Sequence, residues 1–151
     1  KKKEIFDADL VALMEESLPV AQETFQLKYV HTTSGSDTVP TATIRLISEG
    51  KETQDAATGD GPVDACYKTI NRMTRLAPEL LDYTLHSVTK GQDALGEVSV
   101  KLRLGGVEVF GRGTSTDIIE ASTKAYISAI NKLVSTSARK SYLKRRQALH
   151  P

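Results

Sequence analysis

A chain of 151 residues with a formal net charge of +1 has room for one core or two packed half-cores, not for two large domains. Near-neutrality excludes the strong overall field of a nucleic-acid or membrane-surface binder, and one cysteine, Cys66, excludes an internal disulfide framework and suits a reducing cytoplasm. No apolar run reaches transmembrane length and no signal-peptide pattern opens the chain, so the expected compartment is cytosolic, with neither membrane nor nucleic acid as partner. The chain begins Lys1-Lys2-Lys3 without an initiator methionine and reads as a fragment whose absent N-terminal part holds the main activity.

In chain order, Asp7 is an N-cap for a helix with Leu10, Leu13 and Met14 on one stripe and Glu15 and Glu16 on the other, ending near Ser17-Leu18-Pro19. This segment reads as the end of a linker subdomain spanning residues 1–24. From Phe25 the period changes to two. Phe25, Leu27 and Tyr29 alternate with polar neighbours, as do Ala42, Ile44 and Leu46, so both stretches are predicted half-buried strands. Ser34-Gly35-Ser36-Asp37 and Glu49-Gly50-Lys51 are predicted turns, and a third strand runs from about Glu52 to Ala57.

A helix follows with Pro62 at its first position, where a missing N–H costs nothing. Its apolar face is Val63, Cys66, Tyr67, Ile70 and Met73. Pro78 marks a restart. Leu81 to Thr89, the alternating Val98, Val100, Leu102 and Leu104, and Val107 to Gly111 after a Gly105-Gly106 turn are three more predicted strands. Asp117 and Glu120 form an expected capping pair for the last helix. Ile118, Ala121, Ala125 and Ala129 make a small-residue face able to sit close on a sheet, and Ile119, Tyr126, Ile130 and Leu133 widen the apolar surface.

Sliding the sequence against itself by 56 residues pairs Gly35 with Gly91, Asp37 with Asp93, Leu46 with Leu102, Gly50 with Gly106 and Lys68 with Lys124. This internal duplication predicts an α+β fold of two βββα units, each an antiparallel three-stranded sheet covered by one helix. Repeat 1 is expected over 25–77 and repeat 2 over 78–136, together the domain 25–136, followed by a basic tail over 137–151. One such unit, of roughly 55 residues, is marginal alone, so the two are expected to stack.

His31, His86 and His150 lack partners at metal-ligand spacing, and no phosphate-binding loop, nucleophile elbow or zinc signature is present. The sequence therefore yields no catalytic, cofactor-binding or metal-binding residues. Gly59-Asp60-Gly61-Pro62 offers a different chemistry: glycines allow close backbone approach, and the free N–H groups of a helix start favour an anion such as a carboxylate. The bland alternative is that the glycines serve only a tight turn.

Gly59-Asp-Gly-Pro-Val-Asp-Ala65, Asp82-Tyr83, Val88-Thr89, Gly91-Gln-Asp-Ala94 and Gly111-Arg-Gly-Thr-Ser-Thr-Asp-Ile-Ile-Glu-Ala-Ser122 together resemble the C-terminal regulatory domain of alpha-isopropylmalate synthase and its relative citramalate synthase. The resemblance covers about Phe25 to Val134. It implies an end-product amino acid bound between the βββα units of a homodimeric regulatory domain, giving feedback inhibition of a distant active site. It also implies that acetyl-CoA and a divalent metal belong to an N-terminal catalytic barrel absent from this chain, and that no cofactor belongs to this part.

Carried over by position, Gly59, Asp60, Gly61, Pro62 and Val63 would wrap the amino acid's polar end, with Asp60 a candidate acceptor for its ammonium, while Leu80, Tyr83, Ser87 and Ala94 would line its side-chain pocket. The small Ser87 and Ala94 suit leucine. Isoleucine, on a citramalate synthase, is the competitor, since the position of one methyl is worth about 1–3 kcal/mol. Two other classes stay open: a double-stranded-RNA-binding domain, from the βββα order and the basic tail with Lys144, Arg145 and Arg146, and a plain dimerisation module without effector.

Overall fold

The structure, a computed structural model, describes residues 23–90 and 93–135. The expected helix from Asp7 to Ser17 and the basic tail 137–151 lie outside the described residues.

Six strands and two helices follow in the order β1 (Gln26–Gly35), β2 (Thr38–Ser48), β3 (Lys51–Thr58), α1 (Pro62–Thr74), β4 (Glu79–Lys90), β5 (Asp93–Leu104), β6 (Val107–Ser115) and α2 (Ile118–Val134). They form two antiparallel sheets of order β1-β2-β3 and β4-β5-β6, each followed by its helix, so the fold is α+β with the βββα unit present twice. The tight turns between the second and third strands of each unit have their two central residues at positive φ, Glu49-Gly50 in one and Gly105-Gly106 in the other. That geometry matches the right-handed twist of the strands it joins.

The alternation in the central strands decides which face is buried. Ala42, Ile44 and Leu46 of β2 and Val98, Val100 and Leu102 of β5 are fully enclosed, and Cys66, Tyr67 and Ile70 of α1 with Ala125, Tyr126 and Ile130 of α2 complete one continuous core. β1 departs from the expected alternation. A bulge between Leu27 and Tyr29 reverses its period, so that Leu27 and Val30 pair opposite Leu46 and Ile44 on the core side. Tyr29 instead stands on the outer face, where Arg45 lies over its ring at 4.6 Å.

α2 sits close on β6 because that strand offers bare backbone. A Cβ on Gly111 would lie 2.1 Å from the Ala125 carbonyl oxygen, and one on Gly113 would lie 2.4 Å from the Ala121 carbonyl oxygen. Ala121, Ala125 and Ala129 are fully buried in this contact, as their small size suggested. Ile118 is not part of it: at the helix start it is 48% exposed, because it projects past the end of the strand contact toward β4 and the Gly96 backbone. The expected reciprocal capping pair is also only half formed. Asp117 is the N-cap and accepts from the Ile119 N–H, but its own N–H donates to Ser115 Oγ. Glu120 is drawn to Lys124 one turn on, at 2.9 Å.

The units join through their helices. The rings of Tyr67 in α1 and Tyr126 in α2 stack with centroids 3.9 Å apart. The Tyr67 hydroxyl donates to the Ser122 carbonyl at 3.0 Å. The Asn71 amide nitrogen meets the Tyr126 hydroxyl at 2.6 Å and donates to the carbonyl oxygens of Leu76 and Tyr67. At the other end of the seam the Asn131 side chain bonds both main-chain groups of Phe25, at 2.8 and 2.9 Å, tying the start of unit 1 to the helix of unit 2.

Gly111→Ala is expected to destabilise the chain by about 1–3 kcal/mol or more, because the added methyl meets helix backbone that cannot yield. Gly35→Ala, whose Cβ would meet only Thr38 Oγ1 at 3.9 Å, is the control expected to change little. Chemical denaturation of both variants is the measurement.

Candidate functional site: the start of α1 and the open face of β4

Register alone collects four of the sequence-predicted residues on one face. Across β4 and β5, Leu80 lies opposite Leu102, Tyr83 opposite Val100, Leu85 opposite Val98, Ser87 opposite Gly96, and Thr89 opposite Ala94. Directly paired residues share a face, and Leu102, Val100 and Val98 are core residues, so Leu80, Tyr83, Ser87 and Ala94 stand on the helix-facing side of the sheet. A bulge at Leu81 keeps Leu80 and Tyr83 on that side although they are three residues apart.

α2 does not cover them. The glycines of β6 draw the helix to the far edge of the sheet, and the inner face of β4 is left open. Leu80 is 44% exposed, Tyr83 36% and Leu85 46%. Leu85 was not singled out by sequence reasoning, although it follows Tyr83 by two on the same strand face. Ile118 of α2 joins it from the side: the position a Cβ would take on Gly96 is 3.6 Å from Leu85 Cδ1 and 3.9 Å from Ile118 Cγ1. The result is an apolar trough with Ser87, Gly96 and Ala94 as its small-residue end.

The glycine stretch is built differently from its counterpart. Gly59 hydrogen-bonds the Pro40 carbonyl at 3.0 Å and lies against the helix start so tightly that a Cβ would be 2.4 Å from the Ala65 nitrogen. Gly61 is the N-cap of α1 in extended conformation, with open space where a Cβ would be, Pro62 follows at the first helical position, and no side chain caps the helix. The equivalent position in unit 2 is Asp117, whose carboxylate caps α2. One turn in, the two units agree again: Asp64 pairs with Lys68 at 2.9 Å as Glu120 pairs with Lys124 at 2.9 Å. The repeats thus keep the same first-turn carboxylate and salt bridge, but only unit 2 has a side-chain carboxylate at the N-cap itself.

Asp64 Oδ2 also accepts the Asp60 N–H at 2.8 Å. This hydrogen bond, then Lys68, holds the Asp64 carboxyl below its ordinary range. The side chain of Asp60 accepts no hydrogen bond among the described residues and is exposed. Val63 stands one turn ahead of Tyr67 on α1, and the hydroxyls of Tyr67 and Tyr83 both bond Ser122 of α2, at 3.0 and 2.6 Å. Tyr67 is therefore the side chain that connects the helix of the glycine stretch with the β4 face. Burial pushes the Tyr67 phenol well above its usual range and the Tyr126 phenol up to about 12. Cys66, on the same helix, is fully buried and its thiol is pushed up by burial, which leaves it unreactive.

The arrangement can hold an anion at the start of α1 and an apolar group against β4. Among the described residues it carries no acid and base pair positioned for chemistry. Among the described residues no three His, Cys, Asp or Glu come together, so these residues do not fit a divalent metal. No helix among them is long and apolar enough to cross a membrane. The RNA-binding reading rested on tail residues that lie outside the described part. A separate open groove of about 890 Å3 lies between the start of β1 and the β6–α2 edge, lined by Phe25, Leu27, Arg112, Lys124, Ile127 and Asn131 among others.

Fold and surface together define a class, an internally duplicated βββα domain with an open strand face in one half and a helix without a side-chain cap in the other. Within that class the chain belongs to the LeuA allosteric (dimerisation) domain family, whose model matches residues 4–134. It is 58% identical over 135 residues to a 2-isopropylmalate synthase of Carboxydothermus hydrogenoformans, covering 89% of this chain and 26% of that protein. Similar relatives are the 2-isopropylmalate synthases of Heliobacterium modesticaldum, 49% identical with 89% of this chain and 26% of the relative covered, and of Pelotomaculum thermopropionicum, 47% identical with 89% and 27% covered. The chain spans about a quarter of the length of these relatives.

Stability is expected to fall as the pH drops below about 4. Asp64 and Asp55 are both held below their ordinary value, Asp55 first by the Ala56 N–H and then by Arg72. A lowered folded-state pKa gives stability that is present above the unfolded pKa and lost as pH falls through the folded one. Thermal melts between pH 3 and 7 should show a shallower acid decline for the Asp55→Asn, Asp64→Asn double variant than for the parent chain.

Proposed function

We propose that this chain is the effector-sensing domain of a 2-isopropylmalate synthase, that its effector is leucine, and that leucine binding gives feedback inhibition of a catalytic barrel elsewhere in the protein. That barrel would condense acetyl-CoA with a 2-oxo acid on a divalent metal, as the resemblance implies.

The observation that carries the reading is the difference between the two helix starts. Where unit 2 has Asp117, unit 1 has Gly61 and a helix N-terminus without a side-chain cap. A ligand carboxylate there takes the place of the missing cap and meets the positive end of the helix dipole. Asp60 accepts from the ligand ammonium. The branched side chain lies in the trough of Leu80, Tyr83, Ser87 and Ala94, where burial of about four carbons contributes roughly 2–3 kcal/mol. The exposed Leu80, Leu85 and Ile118 suit a second copy of the chain closing over the trough, in keeping with the dimerisation named in the family's description. That these relatives are named 2-isopropylmalate synthases rather than citramalate synthases supports the leucine reading over the isoleucine one.

Isothermal titration with leucine, isoleucine and valine in parallel tests this. Leucine is expected to bind about 10- to 100-fold more tightly than isoleucine, the range that one displaced methyl allows. Tightest binding of isoleucine would transfer the domain to a citramalate synthase, and a concentration-dependent dimer that none of the three stabilises would leave a dimerisation module without effector. Gly61→Asp, which installs the cap of unit 2, is expected to reduce leucine affinity at least tenfold while leaving the melting temperature unchanged or raised.

A further inference from the structure

The open face of β4 is joined to the helix seam by a short chain of hydroxyl groups. Tyr83 Oη and Ser122 Oγ are 2.6 Å apart, a short hydrogen bond in which either oxygen can donate. Ser122 is fully buried in α2, and its main-chain carbonyl accepts the Tyr67 hydroxyl at 3.0 Å. Tyr67 in turn stacks on Tyr126. One residue of α2 therefore receives a tyrosine from β4 and a tyrosine from α1. The Tyr83 ring is more than a third exposed, and its hydroxyl is the end held by the core.

From this geometry we infer that Ser122 is the positioning residue of the effector trough: its hydroxyl fixes the Tyr83 ring as a wall of the pocket and couples that wall to the α1–α2 seam. The inference rests on the effector reading above and adds a residue to it. An exposed aromatic ring on an edge strand has several rotamers open to it. A buried hydroxyl that anchors the phenol oxygen selects one before ligand arrives, which lowers the ordering cost of binding. Ser122 touches no ligand in this arrangement and acts through Tyr83. Because the same residue also holds Tyr67, a shift of the Tyr83 ring on binding is felt first at the contact between the two helices. Unit 1 has Cys66 at the position equivalent to Ser122 and Leu27 at the position equivalent to Tyr83, so the bond belongs to unit 2 alone.

A double-mutant cycle in leucine affinity tests the inference. Tyr83→Phe and Ser122→Ala are each expected to weaken leucine binding about 2- to 10-fold, the range of an ordinary hydrogen bond. The double variant is expected to bind no more weakly than the weaker single, because both substitutions remove one bond. Unchanged affinity in Ser122→Ala, or losses that multiply in the double variant, would overturn it even if leucine binds the parent chain well. A lowered melting temperature with affinity retained would mean that Ser122 is structural only. Should Ser122→Ala fail to fold, Tyr83→Phe breaks the same bond from the exposed side, and unchanged affinity there overturns the inference. If the parent chain binds none of leucine, isoleucine and valine, the effector reading fails first and takes the positioning role with it.

Discussion

The stacking of Tyr67 on Tyr126 is the interaction on which the rest of the fold depends. A three-stranded sheet with one helix of 13 or 17 residues buries too little to stand alone. The two units become one body because their helices share a seam that is aromatic in its middle and hydrogen-bonded at its edges. Large rings supply contact area, and their hydroxyls, buried with the seam, find a carbonyl and an amide rather than being left unpaired. Asn131 extends the junction to Phe25, so the first strand of one unit is held by the helix of the other.

Duplication produced this seam without making it symmetric. The repeat offset puts Tyr67 opposite Thr123 and Tyr126 opposite Ile70, so the two stacked rings come from different positions of the repeat. The salt bridges of the first helical turns are equal, while the caps one residue outside them are not. Such a pattern separates what both halves need for folding from what only one half uses. The i, i+4 ion pair supports either helix. A carboxylate caps the helix of one unit, and glycine at the equivalent position leaves the helix of the other without a side-chain cap, the difference on which the effector proposal rests.

The open face of β4 has a packing cause. Helix α2 is seated over Gly111 and Gly113 because only there can its backbone approach the sheet so closely, and a helix about 10 Å across cannot cover all three strands from that edge. Tyr83, Leu80 and Leu85 are thus exposed by the same contact that makes unit 2 compact. The resulting apolar strip is tied to the helix seam through Tyr83 and Tyr67, whose hydroxyls both bond Ser122, and the proposed effector, a small amphiphile, matches the strip with its branched hydrocarbon and the start of α1 with its carboxylate.

Much of this was written in local sequence. Period-two alternation at Ala42, Ile44, Leu46 and at Val98, Val100, Leu102, the double-glycine turn, Pro62 and the self-alignment together determined two βββα units and most of their core, because each signal acts within a few residues of its origin. Other features depended on neighbours far along the chain. The bulge that turns Tyr29 outward follows from strand pairing with β2, and Glu120 chose Lys124 over the cap because the fold placed Ser115 in reach of Asp117. Leu85 reads as an ordinary strand residue, and its exposure appears only once α2 has moved to β6. Ser122 looks like a small residue on a helix face, and only the folded chain sets Tyr83 on one side of it and Tyr67 on the other. Local pattern determined the elements; which of their faces stayed open was decided by tertiary packing, since exposure depends on what a distant segment covers.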